Sequence, residues 1–181
     1  MLGVGSKFPE FNLQSVLGKD QKNTFKEINS SSYNGKWIIF FFWPKDFTFV
    51  CPTEISAFSD LQKDFEERNT QVLGASMDSE FVHLAWKKEN SEIGRVNFPM
   101  LADIGGSLTD ELGIKDAKHG VSQRATYIID PNMVIRHVSV VDLNVGRSPE
   151  EILRTLDALQ NGGLCPVNWK KGSPTLQPGN E

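Results

Sequence analysis

The first third of the chain contains an unbroken run of apolar and aromatic residues. The run extends from Lys36 to Trp43 and is bounded by Gly35 and Pro44. Because apolar side chains in such a run point to both faces of a strand, it predicts an interior strand that is buried on both sides. A strand of this kind needs helices above and below the sheet, which indicates an α/β protein.

The next segments change between helical and extended patterns. Apolar residues recur at helical spacing between Pro52 and Arg68, and proline is tolerated in the first turn of a helix. A second strand is predicted from Gln71 to Met77, with Asp78 or Ser79 as the cap of a further helix. The buried face of that helix is predicted to carry Val82, Ala85 and Trp86. The order strand, helix, strand is typical of a βαβ unit.

Three short apolar segments downstream predict further strands, at residues 99–102, 125–129 and 134–141. The last two are separated by Asp130-Pro131-Asn132, a sequence that favours a tight turn and therefore a hairpin. Since a hairpin pairs its strands in antiparallel fashion, the sheet should be mixed.

The last predicted helix has clear signals at both ends. Ser148 and Glu151 have the spacing of a capping box, Pro149 suits the first helical position, and Gly162 follows the last apolar residue. The apolar face comprises Ile152, Leu153, Leu156 and Leu159. We therefore predict one domain over residues 1–161 and a tail over residues 162–181. The glycines and prolines of the tail predict an extended, partly mobile segment.

Composition narrows the possible functions. A chain of 181 residues with 39% hydrophobic residues can build one well-buried core. Its net charge of -4 and isoelectric point near 5.4 argue against nucleic acid as a partner. The lysine pairs at 87–88 and 170–171 are expected on solvated faces.

The sequence also bears on compartment and on cysteine chemistry. No apolar stretch approaches the roughly 20 residues that cross a bilayer, and Met1 to Asn12 lacks the pattern of a signal peptide. A soluble, cytoplasmic protein is the default expectation.

Two cysteines are too few for a disulfide framework, and reducing compartments disfavour purely structural bridges. Both thiols are therefore candidates for chemistry.

Cys51 is expected where the loop after the first strand becomes a helix. A free thiol has a pKa of about 8.5, so reactivity near neutral pH needs a positive environment, which the amides of a helix N-terminus supply. Thr48 can direct its hydroxyl toward the sulfur, and Pro44 fixes the entry of the loop. An inert buried cysteine, with Thr48 and Pro44 as ordinary turn residues, is the alternative.

The segment from Phe42 to Glu54, with its Pro-x-x-x-Thr-x-x-Cys pattern, resembles the active-site signature of the peroxiredoxins, in particular the typical 2-Cys, alkyl hydroperoxide reductase C type. The resemblance covers nearly the whole chain. Further landmarks in family order are Ala85-Trp86-Lys87, Arg124 before Tyr127-Ile128-Ile129-Asp130, Val145-Gly146-Arg147 and Leu164-Cys165-Pro166. The resemblance implies a thioredoxin-like fold, in which a central mixed sheet is flanked by helices and followed by an extended C-terminal tail.

The resemblance also implies roles for individual residues. It makes Cys51 the peroxidatic cysteine, which is oxidised to sulfenic acid by the hydroperoxide. It places Pro44, Thr48 and Arg124 in the pocket of that cysteine, and Glu54 and Arg147 in support. Without the resemblance, Arg124 would be taken for a surface residue at the start of a strand.

Cys165 follows far downstream in a region rich in glycine and proline, and the sequence alone leaves open whether it meets Cys51. The resemblance implies that Cys165 of the partner subunit resolves the sulfenic acid by forming an intersubunit disulfide. A homodimer follows, with a ring of five dimers as the family expectation. Thioredoxin and a dedicated flavoprotein reductase are possible reductants. Hydrogen peroxide, organic hydroperoxides and peroxynitrite remain open as substrates.

No cofactor or metal is expected. The histidines at positions 83, 119 and 137 are scattered, the two cysteines lack zinc-type spacing, and Gly105-Gly106 lacks the lysine of a phosphate-binding loop. Two other functions remain open. A thioredoxin-like disulfide oxidoreductase would want a Cys-x-x-Cys motif, which the sequence lacks. A redox-regulated oligomeric chaperone would expose apolar surface, and a client-aggregation assay would reveal it.

Overall fold

The computed structural model describes residues 1–19 and 24–178, in which seven strands form one mixed sheet. The strands of the chain are β1 (Asn12–Val16), β2 (Phe25–Asn29), β3 (Trp37–Phe42), β4 (Thr70–Ser76), β5 (Met100–Ala102), β6 (Lys115–Asp116), β7 (Val121–Ser122), β8 (Arg124–Ile129) and β9 (Ile135–Val141). The helices are α1 (Val50–Asp60), α2 (Gln62–Glu66), α3 (Glu80–Glu89), α4 (Ser91–Gly94), α5 (Ser107–Leu112) and α6 (Pro149–Asn161). The strand order in the sheet is β2-β1-β5-β4-β3-β8-β9, and β6 pairs with β7 outside it.

The apolar run of the sequence forms β3, which is buried on both faces as predicted. Ile38, Phe40 and Phe42 belong to the core on one face of the sheet. Ile39 and Phe41 belong to the core on the other face, together with Cys51 and much of α1. The two cores explain why the strand shows no alternation of apolar and polar residues.

The predicted βαβ unit is also present, because β3 and β4 pair in parallel across the connection through α1 and α2. One continuous helical pattern between Pro52 and Arg68 corresponds to two helices, since the backbone of Leu61 leaves helical geometry at ψ 5°. Phe65 of α2 still reaches the core that contains Phe58 of α1. The break therefore changes the direction of the chain without exposing apolar residues.

The antiparallel strands lie at the edges of the sheet. β8 pairs with both β3 and β9, so the sheet is mixed as predicted. The turn between β8 and β9 is held by Asp130, whose Oδ1 accepts hydrogen bonds from the amides of Asn132 and Val134. This side-chain-to-backbone pattern is the reason that aspartate favours turns.

The last helix begins and ends where the sequence predicts. Ser148 Oγ accepts a hydrogen bond from the amide of Glu151, and Gly162 ends the helix at a φ of 71°. The capping box is only half formed, because the Glu151 carboxylate binds Arg154 at 2.7 Å. That ion pair also lowers the pKa of Glu151.

The tail after α6 is not extended throughout. Leu164 pairs with Leu176 in an isolated bridge, and Trp169 between them is buried. The carbonyl of Trp169 accepts a hydrogen bond from Arg154 of α6 at 3.0 Å, and its indole nitrogen donates to Ser173 O at 2.9 Å. Burial of one large aromatic side chain thus folds the described part of the tail back onto α6. No helix in the described residues is long and apolar enough to cross a membrane.

The prediction that Lys87 lies on a solvated face is wrong. Its side chain is buried, and its ammonium group donates to the carbonyls of Val96 at 2.8 Å and Ile93 at 3.4 Å. Val96 lies just beyond the end of α4, where the chain has left the helix, so a lysine from α3 can bond to its carbonyl. The buried face of α3 accordingly consists of His83, Trp86 and Lys87, whereas Val82 and Ala85 are half-buried.

Burial of Lys87 should make stability depend on pH. Desolvation lowers the pKa of Lys87 from its ordinary value of 10.5 to about 8. Because the unfolded chain then holds this proton more tightly, the contribution of Lys87 to stability rises between pH 8 and pH 10.5. We predict that wild-type protein gains up to about 1 kcal/mol per pH unit in free energy of unfolding, relative to Lys87→Met, in that interval. Urea unfolding at fixed protein concentration measures the difference.

The matched control is Lys88→Met, because Lys88 is the exposed neighbour of Lys87 on the same helix. The difference in free energy of unfolding between wild-type protein and Lys88→Met should stay constant over this pH interval. Parallel curves for wild-type protein and Lys87→Met between pH 8 and pH 10 would contradict the assignment of a lowered pKa to Lys87.

Candidate active site

Cys51 lies in the first turn of α1, at the point where the chain from β3 enters the helix. Its side chain is 1% exposed. Thr48 Oγ1 is 3.0 Å from the sulfur, and Arg124 Nη1 is 3.3 Å from it. The structure therefore brings together Cys51, Thr48 and Arg124, three of the four residues that the sequence predicts in one pocket.

The hydroxyl of Thr48 has two neighbours, and the protonation of the sulfur decides to which of them it donates. Its Oγ1 lies 3.0 Å from the carbonyl of Lys45 as well as 3.0 Å from the sulfur of Cys51. A hydroxyl has one proton to donate and can also accept. When Cys51 is a thiol, Thr48 donates to Lys45 and accepts from the S–H group. When Cys51 is a thiolate, Thr48 can turn its proton to the sulfur.

Arg124 is the first residue of β8, and the antiparallel pairing with β3 places it level with the end of β3, where the chain turns toward Cys51. The guanidinium is held on two further sides. Its Nε donates to the carbonyl of Leu143 at 2.7 Å, and its Nη1 donates to Glu54 Oε2 at 2.6 Å. Leu143 contributes its backbone carbonyl to this contact, and nothing in the sequence singles it out.

Glu54 lies three residues after Cys51 in α1 and is 2% exposed. Its carboxylate accepts from Arg124 and from three nitrogens of Arg147, namely the amide at 2.9 Å, Nε at 2.8 Å and Nη2 at 3.0 Å. Arg147 also donates to the carbonyl of Ala125 at 2.8 Å. Both residues that were predicted to support the site thus belong to one buried ion network.

The charges of this network do not balance. The side chains of Arg124 and Arg147 are each 4% exposed, and the carboxylate of Glu54 between them is 1% exposed. Two guanidinium cations and one carboxylate leave one positive charge in excess. This excess lies beside Cys51, whose sulfur is 3.3 Å from Arg124 Nη1.

A cavity of about 260 Å³ opens above Cys51. Pro44, Thr48 and Arg124 form part of its wall, while Phe49, Val121 and Leu143 add apolar surface. Lys45, His119 and Asn144 also line it, and the sequence analysis assigned no role to their side chains. The volume is below that of most ligand pockets, so it suits a small reacting group.

Cys165 lies apart from this cavity within the chain. It follows α6, is half-buried, and is 3.8 Å from the carbonyl of Ala158 and from Asn161 Nδ2. Both thiols are free. Any reaction between Cys165 and Cys51 therefore requires movement, a second subunit, or both.

The three histidines occupy separate places in the structure. His83 is buried against Asp46, His119 pairs with Asp116 at the surface, and burial lowers the pKa of His137 on β9. In the part of the chain that the structure describes, no group of three or more histidine, cysteine or acidic residues is placed to hold a metal ion.

Comparison with known proteins gives consistent matches over the whole chain. Residues 4–138 match the AhpC/TSA family. Alkyl hydroperoxide reductase C of Mycolicibacterium smegmatis is 48% identical over 187 aligned positions, which cover 99% of this chain and 95% of the relative. Peroxiredoxin-2 of Mus musculus is 43% identical over 182 positions, covering 97% of this chain and 90% of the relative.

The fold of this chain is also similar to solved structures of the same kinds of protein. Mycobacterium tuberculosis AhpC has a TM-score of 0.86 at 45% identity and covers 94% of this chain and 99% of its own. Reduced Plasmodium vivax 2-Cys peroxiredoxin has a TM-score of 0.91 at 39% identity and covers 99% of this chain and 95% of its own. The predicted thioredoxin-like fold is thereby confirmed.

Proposed function

This chain belongs to the AhpC/TSA family, and on that premise we propose that Cys51 is the residue through which it reduces hydroperoxides. The protein is a thiol-dependent peroxidase, as its similarity to alkyl hydroperoxide reductase C and to the peroxiredoxins shows. The observation that carries the assignment of Cys51 is the approach of both Thr48 and Arg124 to its sulfur.

In the first step, the Cys51 thiolate attacks the terminal oxygen of a hydroperoxide in the cavity. The sulfur–oxygen bond forms as the oxygen–oxygen bond breaks, so the sulfur loses two electrons and becomes a sulfenic acid. The other oxygen leaves with the electron pair of the broken bond and takes a proton, giving water from hydrogen peroxide or an alcohol from an organic hydroperoxide. Both substrate classes belong to the proposal.

Arg124 and Thr48 have complementary roles in that step. The guanidinium of Arg124 stabilises the thiolate, and its fixed donors can also hold a peroxide oxygen and the negative charge that develops on the leaving oxygen. Thr48 can donate its proton to the peroxide, since its oxygen lies 3.0 Å from the sulfur. Pro44 shields the sulfur without presenting an amide that would compete for it. Holding the reactants in line accounts for a large part of the rate acceleration.

In the second step, the thiol of Cys165 of the partner subunit attacks the sulfenic acid. A disulfide forms between the two sulfurs, and the hydroxyl leaves as water. Cys51 must first become accessible, so the first turn of α1 has to unwind. Phe49, which precedes this helix, offers no side-chain acceptor to the first amides, so the start of α1 lacks the usual stabilising cap.

The proposed assembly and partners follow from this cycle. A homodimer is needed for the intersubunit disulfide, and the 94% exposure of Phe49 beside the cavity supplies apolar surface that a second subunit can cover. A ring of five dimers is the proposed higher assembly. A disulfide reductant in the cytoplasm, such as thioredoxin or a dedicated flavoprotein reductase, would reduce the disulfide and regenerate both thiols. The segment 162–181 then serves as the resolving tail of the catalytic domain 1–161.

The disulfide itself tests this proposal. We expect wild-type protein treated with one equivalent of hydrogen peroxide to run as a covalent dimer on a non-reducing gel, because each bridge joins two chains. Cys165→Ser should run as a monomer after the same treatment, and dithiothreitol should convert the wild-type dimer to monomer. An oxidised wild-type band at monomer size, carrying a bond between Cys51 and Cys165 of one chain, would contradict the intersubunit assignment.

A further inference from the structure

The loop that carries the pocket residues between β3 and α1, residues 44–49, is anchored by a buried carboxylate that the peroxidase chemistry does not use. Asp46 lies two residues after Pro44 and two before Thr48, and it is 7% exposed. Its Oδ1 accepts from the indole nitrogen of Trp43 at 2.7 Å, and its Oδ2 lies 2.6 Å from His83 Nδ1. Both contacts tie the loop to the core.

The hydrogen bonds of His83 fix how many protons the pair holds. His83 is fully buried, and its Nε2 lies 3.0 Å from the carbonyl of Leu101. A carbonyl can only accept, so Nε2 carries a proton. The 2.6 Å contact with Asp46 needs a second proton, located on either Nδ1 or Oδ2. In both forms, imidazolium with carboxylate or imidazole with carboxylic acid, the pair has no net charge.

The groups around Asp46 shift its pKa in opposite directions. Burial raises the pKa of Asp46, and the hydrogen bond from His83 opposes that shift. The carboxylate of the neighbouring Asp78 accepts a hydrogen bond from the backbone amide of Asp46 at 3.0 Å. The negative charge of Asp78 also raises the pKa of Asp46. The pair therefore adds no net charge to its surroundings, while its hydrogen bonds hold the loop in place.

The backbone between Asp46 and Thr48 shows why such an anchor is needed. Phe47 has a φ of 54°, in the left-handed region that bulky L-residues avoid. This conformation costs about 1–2 kcal/mol, and it persists only where the surrounding structure enforces it. Asp46 fixes one side of Phe47, while the hydrogen bond from Thr48 to the carbonyl of Lys45 closes the turn. If the anchor is lost, Phe47 can relax and carry the Thr48 hydroxyl away from the sulfur.

We propose that Asp46 and His83 are positioning residues, a net-neutral pair that shares a proton and holds the loop so that Thr48 faces Cys51. The inference rests on the proposed function of Cys51 and extends it to two residues that do not touch the cavity. It makes a specific claim about charge: the shape and hydrogen bonds of residue 46 matter, and its ionisation does not.

Two substitutions separate shape from charge. Asp46→Asn keeps the length of the side chain, because its amide can donate to His83 Nδ1 while its oxygen accepts from Trp43. Asp46→Glu keeps the carboxyl group but adds one methylene, which displaces the loop. We expect the rate constant for oxidation of Cys51 by hydrogen peroxide, measured by stopped flow, to stay within about threefold for Asp46→Asn. For Asp46→Glu it should fall on the order of 10- to 100-fold, as for a misplaced catalytic group.

Alkylation of Cys51 by iodoacetamide is the second readout, since this reaction needs the thiolate but not the aligned hydroxyl of Thr48. It should change less than about threefold in both variants, whereas general damage to the site would slow alkylation and oxidation together. A tenfold slower oxidation in folded Asp46→Asn, or an unchanged rate in Asp46→Glu, would overturn the inference. If Asp46→Glu does not fold, the result for Asp46→Asn decides alone. Failure of the proposed function is distinguishable, because wild-type Cys51 would then not be oxidised at all.

Discussion

Replacement of Cys51 by serine abolishes hydroperoxide reduction, with an expected loss of roughly 10⁴-fold or more in turnover, as for other catalytic nucleophiles. The serine hydroxyl stays protonated near neutral pH and cannot take the two-electron oxidation that the sulfur undergoes. The rest of the site should be preserved, because the substitution changes one atom and leaves Thr48 and Arg124 in place. Consumption of hydrogen peroxide with dithiothreitol as reductant measures the loss.

The matched control is Cys165→Ser in the same assay. A small thiol can reduce the Cys51 sulfenic acid directly, so this variant should retain turnover although it cannot form the intersubunit bridge. Near-wild-type peroxide consumption by Cys51→Ser would reject Cys51 as the peroxidatic residue. Loss of activity in both variants to the same extent would instead show that dithiothreitol cannot replace Cys165 in the reduction of the sulfenic acid.

Glu54→Gln should destabilise the protein by about 3–5 kcal/mol, the usual effect of removing one partner from a buried ion pair. The carboxylate of Glu54 is the shared acceptor of two buried guanidinium groups, so its loss leaves Arg124 and Arg147 with uncompensated charge. We also expect oxidation of Cys51 to slow by roughly tenfold, because Arg124 loses the anchor that holds its donors toward the sulfur. Urea unfolding and stopped-flow oxidation measure the two effects.

Glu67→Gln provides the comparison, since Glu67 is exposed and lies outside this network. Its free energy of unfolding should stay within about 0.5 kcal/mol of the wild-type value. A Glu54→Gln variant as stable as Glu67→Gln would show that the two arginines find other partners, and the account of the buried network would then be wrong.

The elements that the sequence predicts well are those with a local cause. The burial of β3 follows from its unbroken apolar run, and α6 begins and ends at a serine cap and a left-handed glycine. The turn at Asp130 follows from the short side chain that bonds to its own backbone. Each of these signals lies within a few residues of the element that it specifies.

The elements that the sequence does not predict depend on distant contacts. Lys87 belongs to a charged pair of lysines, yet its buried ammonium group bonds to the carbonyl of Val96, which lies beyond the following helix. His83 contacts Asp46 across 37 positions of the chain, and nothing near either residue indicates the other. Trp169 is the single aromatic residue of the tail, and its burial against α6 bends a segment that its glycines and prolines predict to be extended.

The candidate site falls between these cases. Cys51 and Glu54 are three residues apart, so helical geometry alone places them near each other. Arg124 and Arg147 come to Glu54 from 70 and 93 positions away, and only the resemblance to the peroxiredoxins indicated their place. The meeting of Cys51 with Cys165 involves a second subunit and stays a prediction.

Direct trapping tests whether hydroperoxide oxidises the sulfur of Cys51 to a sulfenic acid. Reduced Cys165→Ser, which has no second thiol in the chain, is mixed with one equivalent of hydrogen peroxide in the presence of dimedone, and the adduct is located by peptide mass spectrometry. We expect one dimedone adduct per chain, on Cys51. Absence of the adduct, while Cys51 remains a free thiol and the peroxide is still consumed, would contradict this expectation.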